Sequence, residues 1–316
     1  MMDRKALILG IKGTKLLKSE TNLIRREKPW GIILFSRNIK SIYQLKKLIR
    51  SIRSVFNDEN YPILIDEEGG KVSRLSNIVD FSVFSQEYFG KTFTSNKKNF
   101  TVRYKIYINK VCEILNETGI NIVTSPVLDV RRKISNNIVG SRSFSRDPNV
   151  IIYLGKLCIN LFNQNKIGTV MKHIPGHGLS NFDSHYKLPV ISGNKKNLIS
   201  KDFRTFKNCN SIFAMTAHIV YQVFDRINAA THSKKIISKI IRKYMGFKGI
   251  LISDDISMKA LKYGLEKNAL KALKAGCNIV LHCNGNIIEM KRLAKIIPTI
   301  DKFTLKKTSQ FYKFLG

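Results

Sequence analysis

A single-domain (β/α)8 TIM barrel over residues 1–316, with some irregular strands, is the fold class this sequence predicts. Three observations carry the prediction. Short, continuously apolar runs recur along the chain, a helical pattern follows most of them, and no linker or low-complexity stretch divides the 316 residues.

The runs are rich in Ile, Val and Leu, and read as strands near Ala6–Ile11, Gly31–Phe35, Pro62–Ile65, Asn121–Thr124, Gly168–Met171, Ser211–Met215, Gly249–Ile252 and Asn278–His282. Unbroken apolarity is expected of parallel strands covered on both faces. Between them, Ile42–Val55 places Leu45, Leu48, Ile49 and Ile52 on one helical face. Val102–Thr118 stops at Gly119, Leu265–Ala275 stops at Gly276, and Asn149–Asn165 and Ser233–Tyr244 complete the helical set. Ser76–Ser95 is less regular and reads as a long connection. An open doubly wound sheet is the competing architecture, but no G-x-G-x-x-G follows the first strand.

Composition narrows the function classes. Hydrophobic residues make up 43%, which fits a folded globular chain. No apolar run is long enough to span a bilayer, and Lys12 interrupts the short apolar N-terminal stretch, so neither a membrane span nor a signal peptide is expected. Cys112, Cys158, Cys209, Cys277 and Cys283 form no CxxC pair and read as free thiols of a reducing compartment. The net charge of +33 raises nucleic-acid binding as a reading. The lysines are spread evenly and lack interleaved aromatics, so drift toward Lys, Ile and Asn explains them better.

A barrel carries its active site at the C-terminal ends of its strands. Those ends are polar here: Asp66-Glu67-Glu68-Gly69-Gly70-Lys71-Val72-Ser73-Arg74, Ser125-Pro126-Val127-Leu128-Asp129, Lys172-His173-Ile174-Pro175-Gly176-His177-Gly178, Thr216-Ala217-His218 and Ser253-Asp254-Asp255. Four of the six histidines, His173, His177, His185 and His218, fall at or just after the fifth and sixth runs. His173 and His177 have the spacing of two zinc ligands on a helix, but Pro175 and Gly176 between them break one, and no metal or other cofactor is expected. A phosphate loop would need a Walker pattern, which is lacking. Glycoside hydrolysis needs a carboxylate at the anomeric centre and a proton donor for the leaving oxygen. Asp254 or Asp255 meets the first need. Strand alternation lets only one of them face the barrel mouth, and periodicity does not choose. Asp183-Ser184-His185 offers a titratable donor with a carboxylate two residues away.

Taken in order, these segments resemble β-N-acetylhexosaminidases of glycoside hydrolase family 3. Lys172 to Gly178 followed by Asp183-Ser184-His185 resembles the signature K-H-F-P-G-H-G…D-S-H, and Asp66 to Arg74 resembles D-Q-E-G-G-R-V-x-R. Leu34-Phe35-Ser36-Arg37-Asn38, Ser125 to Asp129, Arg142-Ser143-Phe144-Ser145-Arg146-Asp147-Pro148, Ala217-His218 and Ser253 to Met258 follow the family's order. The resemblance implies Asp254 as nucleophile, His185 as general acid/base and Asp183 as the residue that orients it. It implies Asp66, Arg74, Arg142, Lys172 and His173 as ligands of the sugar and its N-acetyl group. It further implies a retaining exo-β-N-acetylglucosaminidase, cytoplasmic and monomeric, that removes GlcNAc from peptidoglycan fragments such as GlcNAc-1,6-anhydro-MurNAc peptides. Ile174, Lys71 and Glu67 replace Phe, Arg and Gln of the pattern, and Glu67 is expected to add negative charge near Asp66. Two other functions fit the same sequence: a phosphorylase passing the sugar to phosphate, and a drifted, non-catalytic barrel that binds nucleic acid.

Overall fold

The computed structural model describes residues 3–132, 138–180 and 187–316. Eight parallel strands close into a barrel: β1 (Lys5–Gly10), β2 (Pro29–Leu34), β3 (Ile63–Ile65), β4 (Ile122–Val123), β5 (Gly168–Ile174), β6 (Phe213–Thr216), β7 (Ile250–Asp255) and β8 (Ile279–His282). Each pairs with its sequence neighbours, and β8 closes on β1. All eight overlap the apolar runs of the sequence. Trp30, Leu64, Met171, Phe213 and Leu251 are all buried, as a sheet covered on both faces requires.

The helices start and stop on residues with a physical reason to do so. Ser41 accepts the Gln44 N–H at 3.2 Å ahead of the helix Ile42–Phe56. Asp147 caps Pro148–Gln164, with proline at a first-turn position where its missing N–H costs nothing. Gly119 and Gly276, with φ of 89° and 116°, end Lys97–Thr118 and Leu265–Ala275. Two expectations change. Ser76–Ser95 contains a helix, Gln86–Ser95, capped by Ser85 on the Tyr88 N–H at 3.1 Å; it buries so few apolar positions that periodicity does not show it. The segment Ile236–Tyr244 is a π-helix rather than an α-helix. A C-terminal helix, Lys302–Leu315, sits under the barrel floor, with the Phe311 ring 5.1 Å from that of Phe213 and Thr308 accepting from the Trp30 indole at 2.9 Å.

Strand irregularity falls at particular places. From β2 through β4 the register advances one residue for one. On β5, Lys172 and Ile174 pair with the adjacent residues Met215 and Thr216, so His173 is extra. On β7, Ile252 and Asp255 pair with Ile279 and Leu281, so one residue is extra there too. Such bulges turn consecutive side chains toward one face. A third shift lies between Lys5 and Ile8, at the opposite end of the barrel.

Candidate active site

A cavity of about 210 Å³ opens at the C-terminal mouth, bordered by Asp66, Arg74, Arg142, Lys172, His173 and Asp254, together with Glu68, His177 and Asp255. Six of the eight site residues expected from the sequence are thereby brought together. The other two, Asp183 and His185, lie outside the described residues.

Charge in this cavity is buried and paired. The Lys172 ammonium, 2% exposed, donates to Asp66 Oδ1 at 2.8 Å, to Glu68 Oε1 at 2.5 Å and to the Thr124 hydroxyl at 2.9 Å. The Thr124 hydroxyl in turn donates a hydrogen bond to Asp66 Oδ1 at 2.7 Å, and Arg74 holds Oδ2. Arg142 grips Glu68 with a two-pronged contact at 2.7 and 2.8 Å. Burial pushes both carboxyls up, but Lys172 and Arg74 hold Asp66 well below the usual range, and Arg142 and Lys172 bring Glu68 to about 2. Burial also disfavours the Lys172 cation, and Asp66 and Glu68 outweigh it. The result is a rigid set of donors and acceptors that stays charged across the neutral range, suited to sugar hydroxyl and carbonyl oxygens.

His173 is oriented by Asp129. Its Nδ1 lies 2.7 Å from Asp129 Oδ2, and its Nε2 lies 3.4 Å from an Arg142 nitrogen. Arginine only donates, so Nε2 accepts and Nδ1–H points to Asp129. Asp129 also accepts the His177 N–H at 2.6 Å, fixing the Pro175–Gly176 turn. Burial and the neighbouring His173 lower the His177 pKa to about 4, which keeps that ring neutral.

Asp254 and Asp255 both border the cavity, which corrects the expectation that only one could. Strict alternation fails because the extra residue on β7 interrupts the pleat. Their partners separate them. Asp255 is engaged by the Ser257 N–H at 3.0 Å, the Ser257 hydroxyl at 2.8 and 2.9 Å, and the Cys283 N–H at 3.3 Å. Asp254 Oδ1 accepts its neighbour's N–H at 2.8 Å, the one hydrogen bond it makes among the described residues. Burial raises the Asp254 pKa, but His218, His173, the Asp255 N–H and Lys172 together draw it below the ordinary value. Asp254 is therefore an ionised carboxylate facing the cavity.

Glu67 also departs from expectation. It points away from the cavity, and its carboxylate accepts the Gly69, Arg74 and Leu75 N–H groups. Glu68, Asp129 and Thr124 were not among the expected site residues, although all three stand at the ends of apolar runs, where the barrel rule directs attention. Among the described residues no group of three or more His, Cys, Asp or Glu side chains is placed to hold a metal ion.

The profile of the glycosyl hydrolase family 3 N-terminal domain matches residues 1–308. The chain belongs to glycoside hydrolase family 3. It is 32% identical over 286 residues to the β-hexosaminidase of Nitrosomonas eutropha, covering 88% of this chain and 80% of that one. It is 31% identical over 288 residues to the β-hexosaminidase of Haemophilus influenzae, covering 88% and 79%. Among solved structures, NagZ from Neisseria gonorrhoeae in complex with N-trifluoroacetyl-D-glucosamine superposes with a TM-score of 0.84 at 26% identity, covering all of this chain and 90% of that one. This family 3 chain is a glycoside hydrolase with β-hexosaminidase relatives, and the paired charges at its barrel mouth lie where a TIM barrel places its chemistry.

Proposed function

We propose that this hydrolase is a retaining exo-β-N-acetylglucosaminidase working through a covalent intermediate on Asp254. The observation that carries the reading is the contrast between the two adjacent aspartates: Asp255 is engaged by Ser257 and Cys283, while Asp254 faces the cavity ionised. In the first step an Asp254 oxygen bonds to the anomeric carbon as the bond to the leaving oxygen breaks, and His185 donates the proton that oxygen takes up. In the second, His185 removes a proton from water, the water oxygen bonds to the anomeric carbon, and the bond to Asp254 breaks. Asp183 orients His185. Asp66, Arg74, Arg142, Lys172 and His173 hold the sugar. The NagZ relative that takes N-trifluoroacetyl-D-glucosamine supports an N-acylated glucosamine in this cavity. The natural substrates are GlcNAc-1,6-anhydro-MurNAc peptides released from peptidoglycan, met in the cytoplasm. Among the described residues no helix is long and apolar enough to cross a membrane.

Turnover of an aryl β-N-acetylglucosaminide tests the assignment. Asp254→Ala abolishes it, and His185→Ala impairs it while sugar binding persists. Full activity in the Asp254 variant overturns the mechanism.

A further inference from the structure

Behind the cavity, on the far side of Glu68, lies a small chamber of about 10 Å³. Glu67, Gln86, Tyr104, Tyr107 and Ser125 supply its polar walls, and Phe84 and Phe89 are among its apolar ones. Glu67 is 2% exposed. Its carboxylate accepts four donors from one turn: the N–H groups of Gly69 at 2.9 Å, Arg74 at 2.6 Å and Leu75 at 3.1 Å, and the Ser73 hydroxyl at 3.3 Å. Gln86 is 4% exposed, and neither end of its amide finds a partner among the described residues. Leaving such a group unpaired costs about 1–3 kcal/mol. A chamber of this size holds one water, provided polar groups meet it, and here they do.

We propose that Glu67 and Gln86, joined by one buried water, form a positioning unit for the sugar site. Glu67 anchors the main chain at Arg74 from behind. In front, the Arg74 guanidinium donates to the Asp66 carbonyl at 3.0 Å and to the Asp66 carboxylate. The turn is pressed against the start of the helix Gln86–Ser95. A Cβ on Gly70 would fall 2.6 Å from that of Ser85, and one on Gly69 would fall 2.5 Å from the Phe84 carbonyl oxygen and the Tyr107 hydroxyl. Gln86 and its water thus complete a wall that glycine already lets come close. Burial pushes the Glu67 carboxyl up to about 7, against the pull of its four donors. The other titratable or charged groups around it are Asp66, Glu68 and Arg74 of its own segment and Tyr104 and Tyr107 of the helix Lys97–Thr118, while Lys172 and Arg142 are engaged by Glu68. Protonation below that value weakens the grip on Arg74, so KM rises as pH falls.

This inference rests on Asp66 and Arg74 being sugar ligands. The test is KM and kcat for an aryl β-N-acetylglucosaminide in wild type, Glu67→Leu, Glu67→Gln, Gln86→Leu and Asp66→Ala, from about pH 5.5 to about 8.5. Glu67→Leu and Gln86→Leu are expected to raise KM roughly tenfold, with kcat within about twofold, the size of one lost hydrogen bond to a charged group. Glu67→Gln keeps an amide oxygen for Arg74 and Leu75. It recovers part of the affinity and loses the acid-side rise in KM, an outcome a merely structural role would not produce. If Glu67→Leu does not fold, the other two variants decide. An unchanged KM in Gln86→Leu, or an acid-side rise retained in Glu67→Gln, overturns the positioning unit when Asp66→Ala still raises KM. An unchanged KM in Asp66→Ala overturns the sugar-site reading, and this one with it.

Discussion

The strands β2 to β4 and the strands β5 and β7 belong to one barrel but carry function differently. Through β2, β3 and β4 the register is regular, and Asp66 and its hydrogen-bond partner Thr124 stand one residue beyond the strand ends. On β5 and β7 the site residues lie inside the strands, and an extra residue puts Lys172 beside His173, and Asp254 beside Asp255, at the cavity. The third register shift, near Lys5 at the barrel floor, borders no part of that cavity. A bulge is therefore not functional in itself. It becomes so at the C-terminal end of a strand, where two consecutive polar side chains can be turned to one face without giving up the ladder on either side.

This contrast can be broken by mutation. Asp254→Ala, on the bulged β7, should lower kcat by roughly 10^4-fold or more with little loss of thermal stability, because it removes the attacking atom. A comparable fall in melting temperature would show that the bulged strand is structural. Lys172→Met should do both kinds of damage. It strands Asp66 and Glu68 without their shared cation, at about 3–5 kcal/mol by denaturant unfolding. Ile65→Ala, on regular β3 and fully buried, should cost about 3 kcal/mol of stability while the folded enzyme keeps its kcat and KM within about twofold. Equal effects of the Ile65 and Asp254 changes on kcat would erase the distinction between scaffold strand and site strand. Asp129→Asn is subtler. It disturbs the His173 ring without touching substrate, so KM should rise roughly tenfold and kcat less.

The smallest effect concerns pH. Burial lowers His177 and His232 from 6.5 to about 4, so the unfolded chain takes up protons that the folded one refuses. Their contribution to stability is complete above pH 6.5 and is lost as pH falls toward 4. Glu67 and Asp202, raised to about 7 and about 6, act in the opposite sense. The clean readout is therefore a difference: His232→Gln, on the helical side of the barrel, should flatten part of the acid-side loss of melting temperature. An identical slope in the variant would remove His232 from the account.

The sequence by itself determined the barrel, because continuous apolar runs followed by amphipathic segments admit few other arrangements, and it placed the polar strand ends that became the cavity. Helix stops at Gly119 and Gly276 were equally plain, since a left-handed terminus favours glycine. Four features were decided only by the tertiary structure. Strand alternation, applied to Asp254 and Asp255, excludes one of them, but the register against β8 admits both. Glu67 reads as a charge added beside Asp66, yet its backbone turns it into a separate chamber. Glu68 and Asp129 are ordinary acidic residues of their segments until Arg142 and Lys172 arrive from elsewhere in the chain to neutralise Glu68, and His173 arrives to be oriented by Asp129. The helix Gln86–Ser95 shows no periodicity because it packs on the neighbouring helix Lys97–Thr118 through a few aromatic contacts, Phe89 with Tyr104 and Phe93 with Phe100, rather than along the barrel wall. For Glu67 the deciding contacts come from its own turn, Gly69 to Leu75; for the charges at the mouth and the register of β7 they are long-range. Local pattern reports which residues can be buried together, while the partner that settles a charge, a register or a tautomer comes from a strand far away in sequence.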